Sequence, residues 1–249
     1  MPITATREDS AFAKRITNAD DLRAAVSHYC ELLPYSHIVA TAQHLSTDID
    51  YDVYTDEDIN AALSNRAHAH QVEQNAYASS ILNIFLDELE RRNERIVFQF
   101  SLGAEPLPFE SGCRIRQETL RQIASLIARY PRLRFMCFNA SRHVHQTLCT
   151  FVRELPNFSL GGYWWHGFFP GALRQVIEER LDMVPLNKQC GFLTDAYCVD
   201  WVYGKTLLLL QAYADVFAHK MVSRQYAFGD IEEIVRWIFL ESPRRLLGI

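Results

Sequence analysis

The chain has 249 residues, a formal net charge of −5 and a pI near 6.0. Its 49% hydrophobic and 22% charged residues are typical of a soluble globular protein with one well-buried core. No basic stripe indicates a nucleic-acid surface, no apolar run reaches the roughly 18 residues of a membrane span, and the start MPITATREDSAFAKR lacks an apolar signal core. We therefore expect a cytoplasmic protein that has neither nucleic-acid nor membrane partners.

Strand-like and helix-like patterns alternate along the chain after a mainly helical stretch at residues 1–36. Short apolar runs predict strands at His37–Ala42, Ile96–Leu102, Leu133–Phe138, Phe158–Trp164 and Cys190–Thr194. Helical spacing predicts helices at about 55–93 with a break, 114–130, 142–155, 170–181, 200–221 and 230–240, followed by a last turn in SPRRLLGI. Thr55, with an acid three residues later, is typical of a helix start.

This alternation predicts parallel strands joined by helical crossovers, in one α/β domain over residues 1–249. We expect a partial (β/α)8, TIM-type barrel of about five strands over residues 37–249, preceded by the helical segment. Because about five strands cannot close a barrel, the sheet edges should be covered by that segment or by a second subunit, which favours a homo-oligomer. A small doubly wound sheet is the rival interpretation.

Six cysteines are present, and none of them forms a CxxC pair that would indicate a zinc ribbon or a redox motif. We expect reduced, buried thiols. They are Cys30, Cys113, Cys137, Cys149, Cys190 and Cys198.

Three segments together resemble a known enzyme family. Trp164 and Trp165 lie in GGYWWHGFFPG, and Asp195 follows in CGFLTDAY. FQFSLGAEPL carries Gly103, and AQHLSTDIDYDVYTDED carries His44. These segments and the tail RRLLGI resemble the uronate isomerases of the amidohydrolase superfamily, which have a Trp-Trp pair, a Thr-Asp-Ser-Arg strand end, a His-x-Gly-Ala strand end and an Asp-His pair.

The chain departs from the family's pattern at several of these motifs. Gln43 stands where the family has the Asp before its His, and Ser101 stands for the His of His-x-Gly-Ala. The Arg that follows this motif falls near Pro106, and Tyr197 replaces the Arg of Thr-Asp-Ser-Arg. The first-strand His-x-His pair has no counterpart in the sequence. We expect either that the chain is a fragment or that this branch has lost the first strands.

The resemblance implies aldose–ketose isomerisation of a hexuronate such as D-glucuronate. This reaction needs a base, stabilisation of oxyanion charge and a cation for the substrate carboxylate, and a metal can supply the polarisation. Barrel enzymes place such groups at the carboxyl ends of strands. The resemblance gives Asp195 and His44 catalytic roles, and makes Asp195 a candidate ligand of a divalent metal, Zn or Mn. The alternative for Asp195 is a cap on the following helix.

Residues near the same strand ends are candidate contacts of the sugar acid. His166 follows the Trp pair, and adjacent residues on a strand face opposite ways, so one tryptophan at most should line a pocket. The substrate-binding candidates are Trp164, Trp165, His166, Arg142, His143 and Asn139.

A second hypothesis comes from a different functional class. The replaced residues favour a non-catalytic relative that binds a sugar acid or serves as a scaffold. Binding of a uronate without turnover would distinguish this hypothesis from the first.

Overall fold

The computed structural model describes residues 16–65, 70–92, 95–104 and 115–249. They form two compact units, one drawn from residues 1–36 and 48–94 and the other from residues 37–47 and 95–249. That the whole chain is a single domain stays a prediction. None of the helices within the described ranges is both long enough and apolar enough to cross a membrane.

The first unit consists of three helices, α1 (Ala19–Glu31), α2 (Asp56–Ser64) and α3 (Gln71–Arg92). The predicted helix start at Thr55 is confirmed. The Thr55 hydroxyl accepts a bond from the Asp58 backbone N–H, while the Asp58 carboxylate accepts one from the Thr55 N–H at 3.0 Å. These reciprocal bonds satisfy donors that a helix start otherwise leaves unpaired. The core of this unit includes Ala19, Leu22, Val26, Cys30, Ile59 and Leu63.

The second unit is built on a four-stranded parallel sheet in the order β1-β2-β3-β4. Its strands are β1 (Ala40–Leu45), β2 (Val97–Leu102), β3 (Arg134–Asn139) and β4 (Phe158–Leu160). The predicted α/β class with parallel strands is confirmed. At the expected fifth strand, the structure has a single parallel bridge between Leu160 and Gln189.

Six helices belong to the described part of this unit: α4 (Gln117–Arg129), α5 (His145–Glu154), α6 (Pro170–Met183), α7 (Val199–Val222), α8 (Phe228–Arg236) and α9 (Ser242–Leu247). Short 3-10 turns occupy residues 142–144, 164–168 and 186–188. Pro170 opens α6, where its missing N–H removes no helical bond. In α4, the buried residues Leu120, Ile123 and Ile127 recur at helical spacing.

The sheet has two faces of different chemistry. Because side chains alternate along a strand, the register places Phe98, Phe100, Phe135 and Phe158 on one side, which we call the phenylalanine face. All four are buried, and the Phe100 and Phe158 rings stack with centroids 6.0 Å apart. The opposite side, the His44 face, carries Ala40, Ala42, His44, Val97, Gln99, Ser101, Met136, Phe138 and Ser159.

Two strand boundaries differ from the expectation. β1 begins at Ala40 and continues through His44, so His44 belongs to the strand itself. β4 ends at Leu160 because the chain then passes very close to its neighbour: a Cβ on Gly161 would lie 2.1 Å from the Phe138 ring. Trp164 and Trp165 therefore lie in a 3-10 turn, and the argument from strand alternation was wrong for them.

The thiol prediction holds at four of the described cysteines. Cys30, Cys137, Cys149 and Cys190 are free and buried. Cys198 is free but exposed, so the prediction of burial was wrong there. Cys113 lies outside the described residues.

Candidate functional site

His44 lies near the carboxyl end of β1, opposite Ser101 in the register of β2. The imidazole Nδ1 is 2.9 Å from the Ser101 hydroxyl oxygen. This contact forms because parallel strands in this register point His44 and Ser101 to the same face. The centroid of the His44 ring is 6.4 Å from that of Trp164.

Trp164 joins His44 to Asp195. The indole Nε1–H of Trp164 donates to the Asp195 carboxylate at 3.1 Å. Both residues have positive φ, 24° for Trp164 and 47° for Asp195. Positive φ is uncommon for residues other than glycine and clusters at functional sites, although Asp tolerates it better than Trp. The N-cap of α7 is Cys198, so the alternative that Asp195 caps this helix was wrong.

Lys205 holds the backbone at Asp195 and was not found from the sequence. Its ammonium group donates to the Thr194 carbonyl at 2.6 Å and to the Asp195 carbonyl at 3.3 Å. The same group lies 3.8 Å from the centroid of the Phe168 ring. The signal available in the sequence was a lysine just before the apolar run TLLLL, ten residues after Asp195.

An aromatic surface continues from Trp164 along the exposed side of the unit. Trp165 is 6.3 Å from Trp164 and 5.7 Å from Phe168, measured between ring centroids. Trp201 lies 6.3 Å from Phe168 and 6.0 Å from Tyr197. Trp165, Phe168, Trp201 and Tyr197 are all exposed. Such rings can pack against the apolar face of a sugar ring.

Arg142, His143 and Asn139 lie at the carboxyl end of β3. Arg142 and His143 are exposed in the 3-10 turn after this strand. The Asn139 side chain is fully buried, donates to the Ser141 carbonyl and accepts from the Ser141 N–H. These bonds fix the turn that presents Arg142. The role of Asn139 as a sugar contact stays a prediction.

His166 is buried, in contrast to the two tryptophans before it. Its ring centroid is 5.9 Å from that of His145, at the start of α5. Burial, followed by the charges of Arg180 and Arg142, lowers the pKa of His166 to about 4. His166 is therefore neutral at pH 7. Its role as a substrate contact also stays a prediction.

Gly103 ends β2 with a conformation that favours glycine. Its φ is 92°, and a Cβ would lie 2.9 Å from the Ile115 side chain and 3.1 Å from Cβ of Ser141. Gly103 is thus packed closely against the turn after β3. Pro106, where the family's Arg would fall, lies outside the described residues.

Comparison with solved structures finds enzymes with a similar architecture. The uronate isomerase of Thermotoga maritima matches 93% of this chain and 54% of its own, with a TM-score of 0.77 and 18% identity. The glucuronate isomerase of Caulobacter crescentus matches 94% of this chain and 52% of its own, with a TM-score of 0.77 and 13% identity. This chain has the fold of the uronate isomerases.

The uronate isomerase fold is shared over only part of those enzymes. This chain spans about half the length of the two isomerases it matches. A Lactobacillus casei protein whose name describes a possible metal-dependent hydrolase matches 93% of this chain and 61% of its own, with a TM-score of 0.73 and 13% identity. No family model and no curated protein matches the sequence.

The donor set at the strand ends does not fit a resident divalent metal. Within the described ranges, no group of three or more His, Cys, Asp or Glu side chains is close enough to hold one. His44 and Asp195 both lie close to Trp164, and the Asp195 carboxylate already accepts the hydrogen bond of the indole N–H. Catalytic zinc sites use about three protein ligands. Metal binding by Asp195 therefore stays a prediction that rests on the family resemblance alone.

Proposed function

We propose that this chain acts on a sugar acid and interconverts the aldose and ketose forms of a hexuronate such as D-glucuronate. One observation carries the proposal: His44, Trp164 and Asp195 approach one another at the carboxyl end of the parallel sheet. In barrel enzymes this end is where catalytic side chains gather. The uronate isomerase fold agrees with this substrate class.

The proposed chemistry is a proton transfer between neighbouring carbons. A base removes the proton from the second carbon of the open-chain sugar and returns it to the first carbon, while the hydroxyl proton moves from the second oxygen to the first. His44 and Asp195 are the groups with the right chemistry for these steps. The exposed Arg142 would pair with the substrate carboxylate, and Trp165 would pack on the sugar's apolar face.

The second candidate function is binding of a sugar acid without turnover. It is favoured by the environment of Asp195, whose carboxylate already accepts the Trp164 indole bond. It is also favoured by Tyr197, which stands where the family has an Arg and is 87% exposed. A site that lacks the family's Arg, and whose Asp195 carboxylate is already hydrogen-bonded, could bind the sugar acid and still fail to move the proton.

One experiment separates the two candidates. The full chain is titrated with D-glucuronate and D-galacturonate by calorimetry, and ketose formation is followed with Zn²⁺, with Mn²⁺ and with chelator. Binding together with ketose formation supports isomerisation, and binding without ketose supports the second candidate. A folded protein that neither binds nor converts any hexuronate overturns both.

Matched variants keep this experiment specific. His44→Gln and Asp195→Asn should abolish turnover, or weaken binding by about tenfold or more if the protein only binds. His219→Gln and Asp215→Asn change the same residue types at exposed ion pairs elsewhere in the second unit and should leave both readouts unchanged. Equal losses in both sets would argue against a specific site.

A homo-oligomer also remains a proposal. It rests on the sheet edges that four parallel strands leave. Sedimentation of the full chain tests it, and a monomer at micromolar concentration would contradict it.

A further inference from the structure

Arg180 is buried in the second unit, and none of the ion pairs among the described residues involves it. The residue is fully buried on α6, and one of its terminal N–H groups donates to the Gly161 carbonyl. Its guanidinium carbon lies 4.3 Å from the centroid of the Tyr163 ring. Within the described residues, the buried Nε and Nη2 atoms of Arg180 make no hydrogen bond of normal geometry, and the guanidinium also interacts with the Tyr163 hydroxyl. Buried donors of this kind are costly unless something satisfies them.

Two buried histidines join Arg180 in one cluster. His145 and His166 are 0% and 4% exposed, and their ring centroids are 5.9 Å apart. Among the described residues, the Nε2 atom of His166 is buried and lacks a hydrogen-bond partner, while the buried His145 ring makes no hydrogen bond of normal geometry and lies close to the Val176 backbone. Burial and the charge of Arg180 lower the pKa of both rings. Several buried side-chain nitrogens in one region thus make no hydrogen bond of normal geometry.

The described thiols and phenols near Arg180 do not supply the missing negative charge. Burial raises the pKa values of the Cys137, Cys149 and Cys190 thiols, which are therefore neutral at pH 7. Burial also raises the pKa values of Tyr163 and Tyr213, whose hydroxyls bond each other at 2.6 Å. A buried cation without a counter-ion costs several kcal/mol, so an anion from solution is the simplest source of compensation.

We propose that Arg180, His145 and His166 form an internal binding site for one small inorganic anion of the halide class. The guanidinium supplies N–H donors on two atoms, Nε and Nη2, and a full positive charge, and the neutral His166 imidazole can donate one further N–H. Complete burial excludes an anion as large as a sugar acid. Arg142 is exposed yet close enough for its charge to act on His166, which marks the side from which an anion would enter. This site is independent of the proposed isomerisation.

The test compares halide with a bulky monovalent anion on the full chain. Thermal unfolding is measured in sodium bromide and in sodium methanesulfonate at equal ionic strength. We expect the melting temperature to be about 2–4 °C higher in bromide at roughly ten times the dissociation constant. Crystals grown in bromide should show an anomalous peak within hydrogen-bonding distance of the Arg180 Nη2 atom.

Two variants separate the buried site from the surface. Arg180→Met should lose the bromide dependence, whereas Arg174→Met, which removes an exposed arginine from the same helix, should keep it. If Arg180→Met does not fold, His166→Phe takes its place, and the anomalous map of the unmodified chain decides. Equal melting temperatures in the two salts, or bromide peaks at surface arginines only with water beside Arg180, would overturn the proposal.

Discussion

The two faces of the sheet are built from the same strands and yet differ in chemistry, above all at the strand ends. On the phenylalanine face, Phe98, Phe100, Phe135 and Phe158 are at most 2% exposed and pack ring against ring. On the His44 face, the strand ends carry His44 and Ser101, which are not buried and which bond each other. The comparison suggests that the first face stabilises the unit, while the second leaves polar groups accessible to a ligand. Substitutions on the two faces should therefore change different measured quantities.

The largest effect is expected on the phenylalanine face. Phe100→Ala removes a buried ring that stacks on Phe158 and should lower the free energy of unfolding by about 3–5 kcal/mol. Phe228→Ala, at a ring that is 66% exposed, should change it by about 0.5 kcal/mol or less. Urea unfolding measures both. Similar losses for the two variants would break the contrast between buried and exposed rings.

Acidification should destabilise the protein through its two buried histidines. The pKa of His166 is lowered to about 4 and that of His145 to about 2, both by burial first, from an ordinary value of 6.5. The unfolded chain therefore binds more protons between pH 6.5 and 4, and stability is lost as the pH falls through this window. From pH 7 to pH 5 we expect a loss of about 3 kcal/mol for the two rings together.

Chemical unfolding in halide-free buffer checks this pH dependence. The double variant His145→Gln with His166→Gln should flatten it. A profile as steep in the double variant as in the parent chain would contradict the assignment.

Two glycines should respond with opposite signs to the same substitution. Gly161→Ala places a Cβ against the Phe138 ring and should destabilise the protein by about 1–3 kcal/mol. Gly204→Ala meets nothing within 4 Å and lies within α7, where alanine should stabilise by about 0.5–1 kcal/mol. Thermal unfolding of the two variants decides. Destabilisation by both would show that the close approach at Gly161 is not the cause.

A smaller loss than at Gly161 is expected at Lys205. Lys205→Met keeps most of the side-chain length but loses both bonds to the Thr194 and Asp195 carbonyls, and should cost about 1–2 kcal/mol of stability. Because those bonds hold the Asp195 backbone, hexuronate affinity should fall as well, and Lys205→Arg should restore part of it. Calorimetry that finds unchanged affinity for Lys205→Met would remove Lys205 from the site.

The strands of the core were predictable because their patterns are simple. Phe98 and Phe135 lie in short apolar runs with clear ends, and the expected strands there agree with β2 and β3 within one residue. β1 was placed three residues too early because Gln43 and His44, which precede its last residue Leu45, are exposed and interrupt the apolar signal. Hydrophobic pattern locates a strand only where burial selects its side chains.

The sequence predicted which residues belong to the site better than it predicted how they are arranged. The family resemblance brought His44, Trp164 and Asp195 together, and the structure places them in contact through Trp164. The indole–carboxylate bond and the role of Lys205 depend on backbone conformations that no periodicity reveals. Arg180 did leave a signal, because it follows Leu173, Val176 and Ile177 on the buried stripe of α6.

The measurement that tests the sugar-acid site most directly follows the Trp164 indole. The chain has four tryptophans, so its ¹⁵N-labelled form gives few indole N–H signals, and Trp164→Phe assigns the one that bonds Asp195. We expect that signal to shift on addition of millimolar D-glucuronate and to stay in place with D-glucose, which lacks the carboxylate. A Trp164 signal that does not move with any hexuronate would contradict the account.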